Sequence, residues 1–486
     1  MNNILKTLLI FFLITGCSLH KSSNFWTSTK KIQKEKTATA DLVEECKTKF
    51  FIKKCKLVKK EEIETDGQVK ECKTKFFIKR CEVVEGAKEI FAEEKVITSE
   101  FNPNKKISLY GKPINKSFFN NYDNNNGWIN YDGNLKKISK LKFSKIDNFD
   151  QYNPVIIFDK ENVIFFDNKG SIIKFDNNSK LVWKKNYYKK YEKKLNPVLL
   201  FANNKNTLIV ADNISKYYAL DINSGKLLWQ KNNLAPFNSQ VKIYKDKFFV
   251  IDLQNTLRCF SIKDGSEIWN VETDNSLIRS QKKLSMVIIN EKIYFNNSQG
   301  DISAVDINKG ELLWQRPTQS SLLVDDGFFL KNSDLIADLD SLYFSNNKNQ
   351  FFSIDMNTGS LNWEKKINSN IRPTLVNDYL FTVSLEGYLI ILEKKSGNLI
   401  RSTNVFKNFN FFFDEVEQTA KIKPAGFIMG TNNIYLTTSN GRLIVIDIVT
   451  GVATSVLKID KSRISRPFIL NQILFIIKDN SIIKLN

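Results

Sequence analysis

Six cysteines and a single histidine bound the side-chain chemistry open to this chain of 486 residues. The histidine, His20, lies in the extreme N-terminal region, which removes imidazole-based triads, histidine general bases and His-ligated metal sites from the body of the chain. Four cysteines fall in a duplicated cassette: Glu45-Cys46-Lys47-Thr48-Lys49-Phe50-Phe51-Ile52-Lys53-Lys54-Cys55 recurs, 26 residues on, as Glu71-Cys72-Lys73-Thr74-Lys75-Phe76-Phe77-Ile78-Lys79-Arg80-Cys81. Two Cys-x8-Cys units predict two small hairpins, each closed by its own disulfide, Cys46 with Cys55 and Cys72 with Cys81. Four cysteines admit three pairings, and spacing does not choose among them. A zinc site is the rival reading, although this spacing is not the tight hook that zinc prefers; reduced or intermolecular cysteines are the third. Cys259 lies on an alternating stretch and reads as a small buried hydrophobe. No two cysteines are adjacent. Carboxylates are plentiful, but most fall in a recurring turn, so the sequence nominates no catalytic residue, no metal site and no cofactor.

Cys17 is of another kind. Residues 1–17 read as a secretory signal, with Lys6 followed by an apolar run over 8–14 that is far shorter than the ~20 residues needed to cross a bilayer. The run ends in Ile14-Thr15-Gly16-Cys17, which resembles the lipobox of bacterial lipoproteins. That resemblance implies cleavage before Cys17 and lipid on its thiol. Each buried CH2 contributes about 0.8 kcal/mol, so a multiply acylated Cys17 anchors the chain to a lipid bilayer. Ser18 rather than Asp at the next position implies, by the same resemblance, the outer membrane and its periplasmic face.

Composition narrows the classes further. Hydrophobic residues at 42% and aromatics at 12% exclude wholesale disorder. A mean hydropathy of −0.29 excludes a polytopic membrane protein. Lys+Arg 72 against Asp+Glu 52 gives +20, which invites a nucleic-acid reading. An oxidising periplasm behind the lipobox argues against one. The excess is uneven: residues 101–195 hold 19 basic and 9 acidic side chains, whereas residues 21–100 hold 19 and 15. Solvated lysines account for the first cluster, and an anionic membrane surface is a second use for it.

What positions any of these residues is a repeat. From about residue 150 the sequence returns on itself every ~40–50 residues. Tyr218-Ala219-Leu220-Asp221-Ile222-Asn223-Ser224-Gly225-Lys226-Leu227-Leu228-Trp229 matches Ser303-Ala304-Val305-Asp306-Ile307-Asn308-Lys309-Gly310-Glu311-Leu312-Leu313-Trp314, and both match Phe352-Ser353-Ile354-Asp355-Met356-Asn357-Thr358-Gly359-Ser360-Leu361-Asn362-Trp363. Ser261, Gly265 and Trp269 keep the spacing with Ser for Asp; Glu393, Gly397 and Arg401 keep it without Trp, as do Asp447, Gly451 and Ser455; a shorter copy ends at Trp183. An alternating strand ends at an Asp that caps the turn, Gly takes the positive-φ position, and a short strand carries Trp onto the neighbouring unit. Trp183, Trp229, Trp269, Trp314 and Trp363 are therefore structural wedges between units. With two more strand-like runs upstream of each copy, every unit has four strands, the blade of a β-propeller. Seven blades end at Trp183 through Ser455, and three more strands follow. The segment 135–146 can supply the missing fourth from the N-terminal side. The prediction is an all-β fold: a signal over 1–16, a tether over 17–104, and an eight-bladed propeller over 105–486 whose two ends pair and leave no open edge.

This Asp-x-x-x-Gly-x-x-x-Trp repeat, over about 330 residues, resembles the PQQ-enzyme-type propeller repeat. Two families share it, the pyrroloquinoline-quinone dehydrogenases and the outer-membrane assembly lipoproteins of the BamB family; a lipobox with eight such blades resembles the second. A quinoprotein of this kind implies a cofactor held against a disulfide of two adjacent cysteines, and this chain has no such pair. The BamB resemblance implies a non-enzymatic scaffold whose partners are a BamA-like barrel-inserting subunit and nascent outer-membrane β-barrel proteins. It also implies where docking occurs. The family's Ser-Leu-x-Leu-Arg loop corresponds to Asn275-Ser276-Leu277-Ile278-Arg279-Ser280 after Trp269, with one Leu missing. Its Asp-Val-Asp segment corresponds to Ala337-Asp338-Leu339-Asp340-Ser341 after Trp314, in a longer loop that carries Phe328-Phe329-Leu330. Leu277, Ile278, Arg279, Asp338 and Asp340 are the residues so implied.

Overall fold

The computed structural model describes residues 95–113, 127–146, 154–204, 206–273, 282–319, 330–407 and 422–486 in full, and four strands further upstream by their backbones. Cys17 and the 275–280 loop lie outside the described residues. The chain divides into two compact units, Met1–Glu93 and Glu94–Asn486.

In the first unit, each cassette is a two-stranded antiparallel hairpin. β1 (Leu42–Lys49) pairs with β2 (Ile52–Lys59), and β3 (Lys70–Lys75) pairs with β4 (Ile78–Val83). The register sets Cys46 opposite Cys55 and Cys72 opposite Cys81.

The second unit is built of eight four-stranded antiparallel sheets, the blades of a propeller. Blades 1 to 7 span 157–185, 199–232, 242–272, 286–316, 336–365, 374–404 and 424–458. Blade 8 takes three strands from 468–485 and its fourth, β5 (Lys137–Lys142), from the N-terminal side. Ser481 pairs with Lys142 and Leu485 with Lys137, and Lys136 and Asn486 exchange backbone hydrogen bonds of 2.7 and 2.9 Å. The ring closes as the strand count predicts. Among the described residues the helical turn Glu192–Leu195 is the only departure from an all-β chain.

Inner strands are packed on both faces by neighbouring blades, so they read as nearly continuous apolar runs; in Lys216–Asp221 every residue but the last is buried. Outer strands such as Leu227–Asn232 lie half in solvent. The third strands of blades 2 to 7 end in the expected turn. Asp221 Oδ1 accepts hydrogen bonds from Ser224 N at 2.7 Å and Ser224 Oγ at 2.6 Å, and Gly225 follows at φ +69°.

Residues 95–113 lie along the blades: Ile97 N donates to Lys366 O, Phe101 and Ser402 exchange two backbone bonds on the outer strand of blade 6, and Ile107 N donates to Val449 O on blade 7. This strap shows no hydrophobic period, because Ile97, Phe101 and Ile107 each meet a different blade edge.

Candidate functional site

Three places in the propeller gather side chains that could matter: the wedge positions, the loop between the first two strands of blade 5, and the propeller axis.

Five tryptophans form the wedges. A Cβ added at Gly225, Gly265, Gly310, Gly359 or Gly397 would press into Trp183, Trp229, Trp269, Trp314 or Trp363 of the preceding blade. Four of the five indoles also donate across the blade boundary, to the backbone carbonyls of Ile222, Ile262, Met356 and Lys394 at 2.9–3.3 Å. Their chemistry is used up in packing.

The blade 5 loop joins Ile336–Ala337 to Ser341–Asn346. Asp338 Oδ1 accepts hydrogen bonds from the backbone N–H groups of Asp340 and Ser341 at 3.1 and 3.0 Å, and its Oδ2 lies 3.7 Å from Lys394 Nζ on blade 6. Asp338 is thus committed to holding its own turn. Asp340 is exposed, and Leu339 between them is 75% exposed. The geometry offers a partner one carboxylate and one leucine, and the leucine is a residue that pattern reading of the two aspartates passed over.

At the axis, a cavity of about 50 Å3 is lined by residues just ahead of the first strands of blades 1, 4, 5, 6 and 8, and by the first strand of blade 7. Lys282, Lys283, Arg372 and Arg466 line it, with Asp334 as their carboxylate. Arg372 and Arg466 are equivalent. Each precedes a proline, two residues before the one that pairs with Phe381 or Phe475, and Asp334 holds the same place before Ile336, which pairs with Tyr343. Gly426 of blade 7 lies against Arg466; a Cβ there would stand 2.5 Å from the arginine's own. Lys282 Nζ donates to Asn332 O at 2.5 Å and Asn370 O at 2.6 Å. Burial pushes the Lys282 and Lys283 ammonium groups down to about 8. Burial also opposes ionisation of Asp334, but Lys282, Arg466, Lys283 and Arg372 outweigh it and hold the carboxyl below its usual range. None of these residues was singled out in the sequence. The doubled Arg-Pro at the same register, Arg372-Pro373 and Arg466-Pro467, is the signal that could have found them.

Over residues 168–403 the chain matches the family model described as outer membrane protein assembly factor BamB. No curated protein matches its sequence. Among solved structures it is similar to BamB from Moraxella catarrhalis, at 15% identity and a TM-score of 0.57, over 72% of this chain and 99% of that one. It is also similar to the quinohemoprotein alcohol dehydrogenase of Comamonas testosteroni (9% identity, TM-score 0.55, 74% of this chain and 78% of that one). A europium-containing methanol dehydrogenase matches at 10% identity and a TM-score of 0.56, over 72% and 87%. At these identities the likeness is one of fold. With eight blades, the recurring Asp–Gly–Trp turn and a family match spanning the blades that carry it, the chain is a propeller of the BamB/PQQ repeat type.

Proposed function

We propose that this chain is a non-enzymatic scaffold in the assembly and insertion of outer-membrane β-barrel proteins. In this reading it is held at the periplasmic face of the outer membrane by acylated Cys17. It docks a BamA-like barrel-inserting subunit and works on nascent barrel proteins. The observation that carries the reading is the match of residues 168–403 to the BamB family model. The lipobox at Cys17 agrees with it, and so does the exposed pair Leu339 and Asp340.

The fold is also that of two dehydrogenases, so an alternative is a quinone-binding or sensor propeller. Cys259, the one cysteine of the propeller, is fully buried on an inner strand of blade 3, and burial pushes its thiol up to about 12. It has no neighbouring cysteine with which to form the vicinal disulfide of the quinone site. Affinity purification of the full chain from detergent-solubilised outer membranes tests the reading. The barrel-inserting subunit should co-purify, and the purified chain should not retain pyrroloquinoline quinone; retention of quinone without the subunit would replace the scaffold by the alternative. In the same cells, Cys17→Ala should leave the chain uncleaved or released from the membrane, and a cleaved, tightly membrane-bound Cys17→Ala form would remove the anchor.

A further inference from the structure

Two loops at one end of blades 1 to 3 carry apolar and basic side chains together. The first, 186–198, joins blade 1 to blade 2 and holds the helical turn Glu192–Leu195; the second, 233–241, joins blade 2 to blade 3. Both are fastened to the 213–215 turn of blade 2: Val198 N donates to Asn213 Oδ1 at 2.7 Å, and Asn233 N to Ser215 O at 2.7 Å. Beside that turn Lys216 Nζ pairs with Glu192 at 2.7 Å and donates to Tyr187 O at 3.3 Å, while the Tyr188 hydroxyl donates to Asp212 Oδ2 at 2.5 Å. These bonds hold the loop backbones and leave several side chains outside. Tyr191 and Leu195 are 62% and 58% exposed, and Leu234, at 93%, is the most exposed large hydrophobic side chain among the described residues. Lys189, Lys190 and Lys194 are exposed around them and Lys193 is half-exposed. Lys169, whose carbonyl accepts from Asn186 Nδ2 at 2.9 Å, adds a fifth exposed cation at the base of the first loop. Glu192, the one carboxylate within 186–198, is spent on Lys216. Apolar side chains scattered singly over a surface are ordinary. Here three stand on adjoining, anchored loops among charges of one sign. Leucine and tyrosine enter the boundary of a bilayer, and lysine stems lie along it with their ammonium groups at anionic headgroups. A partner offering only negative charge would account for the lysines and leave the leucines in water.

We propose that this end of the propeller rests on an anionic lipid bilayer, with Tyr191, Leu195 and Leu234 entering the headgroup boundary and Lys189, Lys190 and Lys194 meeting the phosphates. The surface is independent of the scaffold reading: a chain that docks no barrel-inserting subunit would still present it.

The test is residue-resolved lysine acetylation of the full chain, read by mass spectrometry in the presence of excess vesicles. One set of vesicles is phosphatidylcholine alone, and the other carries phosphatidylglycerol at about one lipid in three. Lys226 and Lys263, exposed in the turns that end the third strands of blades 2 and 3, lie at the opposite end of those blades and serve as internal controls. With phosphatidylglycerol the acetylation of Lys189, Lys190 and Lys194 should slow roughly threefold or more while the controls keep their rates, and salt at about 1 M should remove the difference. Phosphatidylcholine alone should give no such protection. Leu195→Ser with Leu234→Ser, both at exposed positions, should keep the wild-type melting temperature and lose most of the protection. Lys190→Gln with Lys194→Gln should lose it as well, read at Lys189. Equal protection by both kinds of vesicle, equal slowing at Lys226 and Lys263, or protection unchanged in both double variants would each overturn the proposal. So would no protection by phosphatidylglycerol, which would leave the surface to an acidic protein instead.

Discussion

Blades 1–5 and blades 6–8 meet the same packing demand with different chemistry. In the first group an indole from each outer strand covers the turn glycine of the next blade and donates one hydrogen bond or none. Between blades 6 and 7 the position belongs to Arg401, fully buried above Gly451. Its guanidinium donates to the carbonyls of Lys105, Val449 and Ile448 at 2.9, 2.5 and 3.1 Å. Burial pushes its pKa down to about 10, which leaves it charged at neutral pH. Between blades 8 and 1 the outer strand instead sets Ser139 Oγ against Ser179 Oγ at 2.7 Å, with Lys484 Nζ donating to Asn177 O at 2.6 Å. A tryptophan wedge works by area and needs only its neighbour. The arginine needs carbonyls, and one of them comes from the strap. The N-terminal strap is therefore part of the packing at the boundary between blades 6 and 7.

That contrast can be broken in order of size. Removing β5 by deleting 137–142 takes the fourth strand from blade 8 and opens an edge. The variant should aggregate or lose most of its thermal stability; a monomer with an unchanged melting temperature would contradict end-to-end closure. Trp363→Ala should cost about 3–5 kcal/mol in denaturant unfolding, the range for a large aromatic removed from a core. Arg401→Ala should cost about 2–3 kcal/mol, from lost packing and three carbonyls left short of a donor. The two should differ in kind as well. Limited proteolysis should cut the strap over 95–113 in Arg401→Ala and spare it in Trp363→Ala, and equal protection in both would mean that Arg401 does not hold the strap. Smaller again is Gly225→Ala, which at φ +69° with Trp183 2.9 Å from the new Cβ should cost about 1–2 kcal/mol. Gly451→Ala at φ +70° should cost a similar amount, since the guanidinium that it meets is buried and held by three carbonyls. The smallest effect concerns the hairpins. Directly opposed strand residues have Cα atoms ~4.5–5.5 Å apart, inside the range for a disulfide. Unreduced peptide mapping should therefore return Cys46–Cys55 and Cys72–Cys81 links, and cross-cassette links would refute the pairing.

The contrast also marks what the sequence discloses. The tryptophan half announces itself, because Asp, Gly and Trp at fixed spacing are visible without any knowledge of contacts, and counting them leads to eight blades and to the fourth strand borrowed from 135–146. The other half is quieter. Arg401 is found by spacing, but nothing in the chain nearby says that its partner carbonyl lies at Lys105, almost 300 positions away. The axial cluster is still less visible: its five charged residues come from four blades, and only the repeated Arg-Pro shares a pattern. At the blade 5 loop the two aspartates drew attention by family resemblance, yet one is spent on its turn and the exposed side chain beside it is a leucine.

The scaffold reading is tested most directly by co-purification of the barrel-inserting subunit with loop variants of the full chain. Leu277→Ala with Arg279→Ala, and Leu339→Ala with Asp340→Ala, remove the apolar anchor and the charge from each loop. Anchors near an interface centre cost more than ~1 kcal/mol on truncation and charged partners ~2–5. Each pair should therefore reduce recovery of the subunit at least tenfold, with unchanged circular dichroism and melting. Full recovery with both double variants, at wild-type stability, would contradict docking through these loops and with it the placement of this propeller on the barrel-inserting subunit.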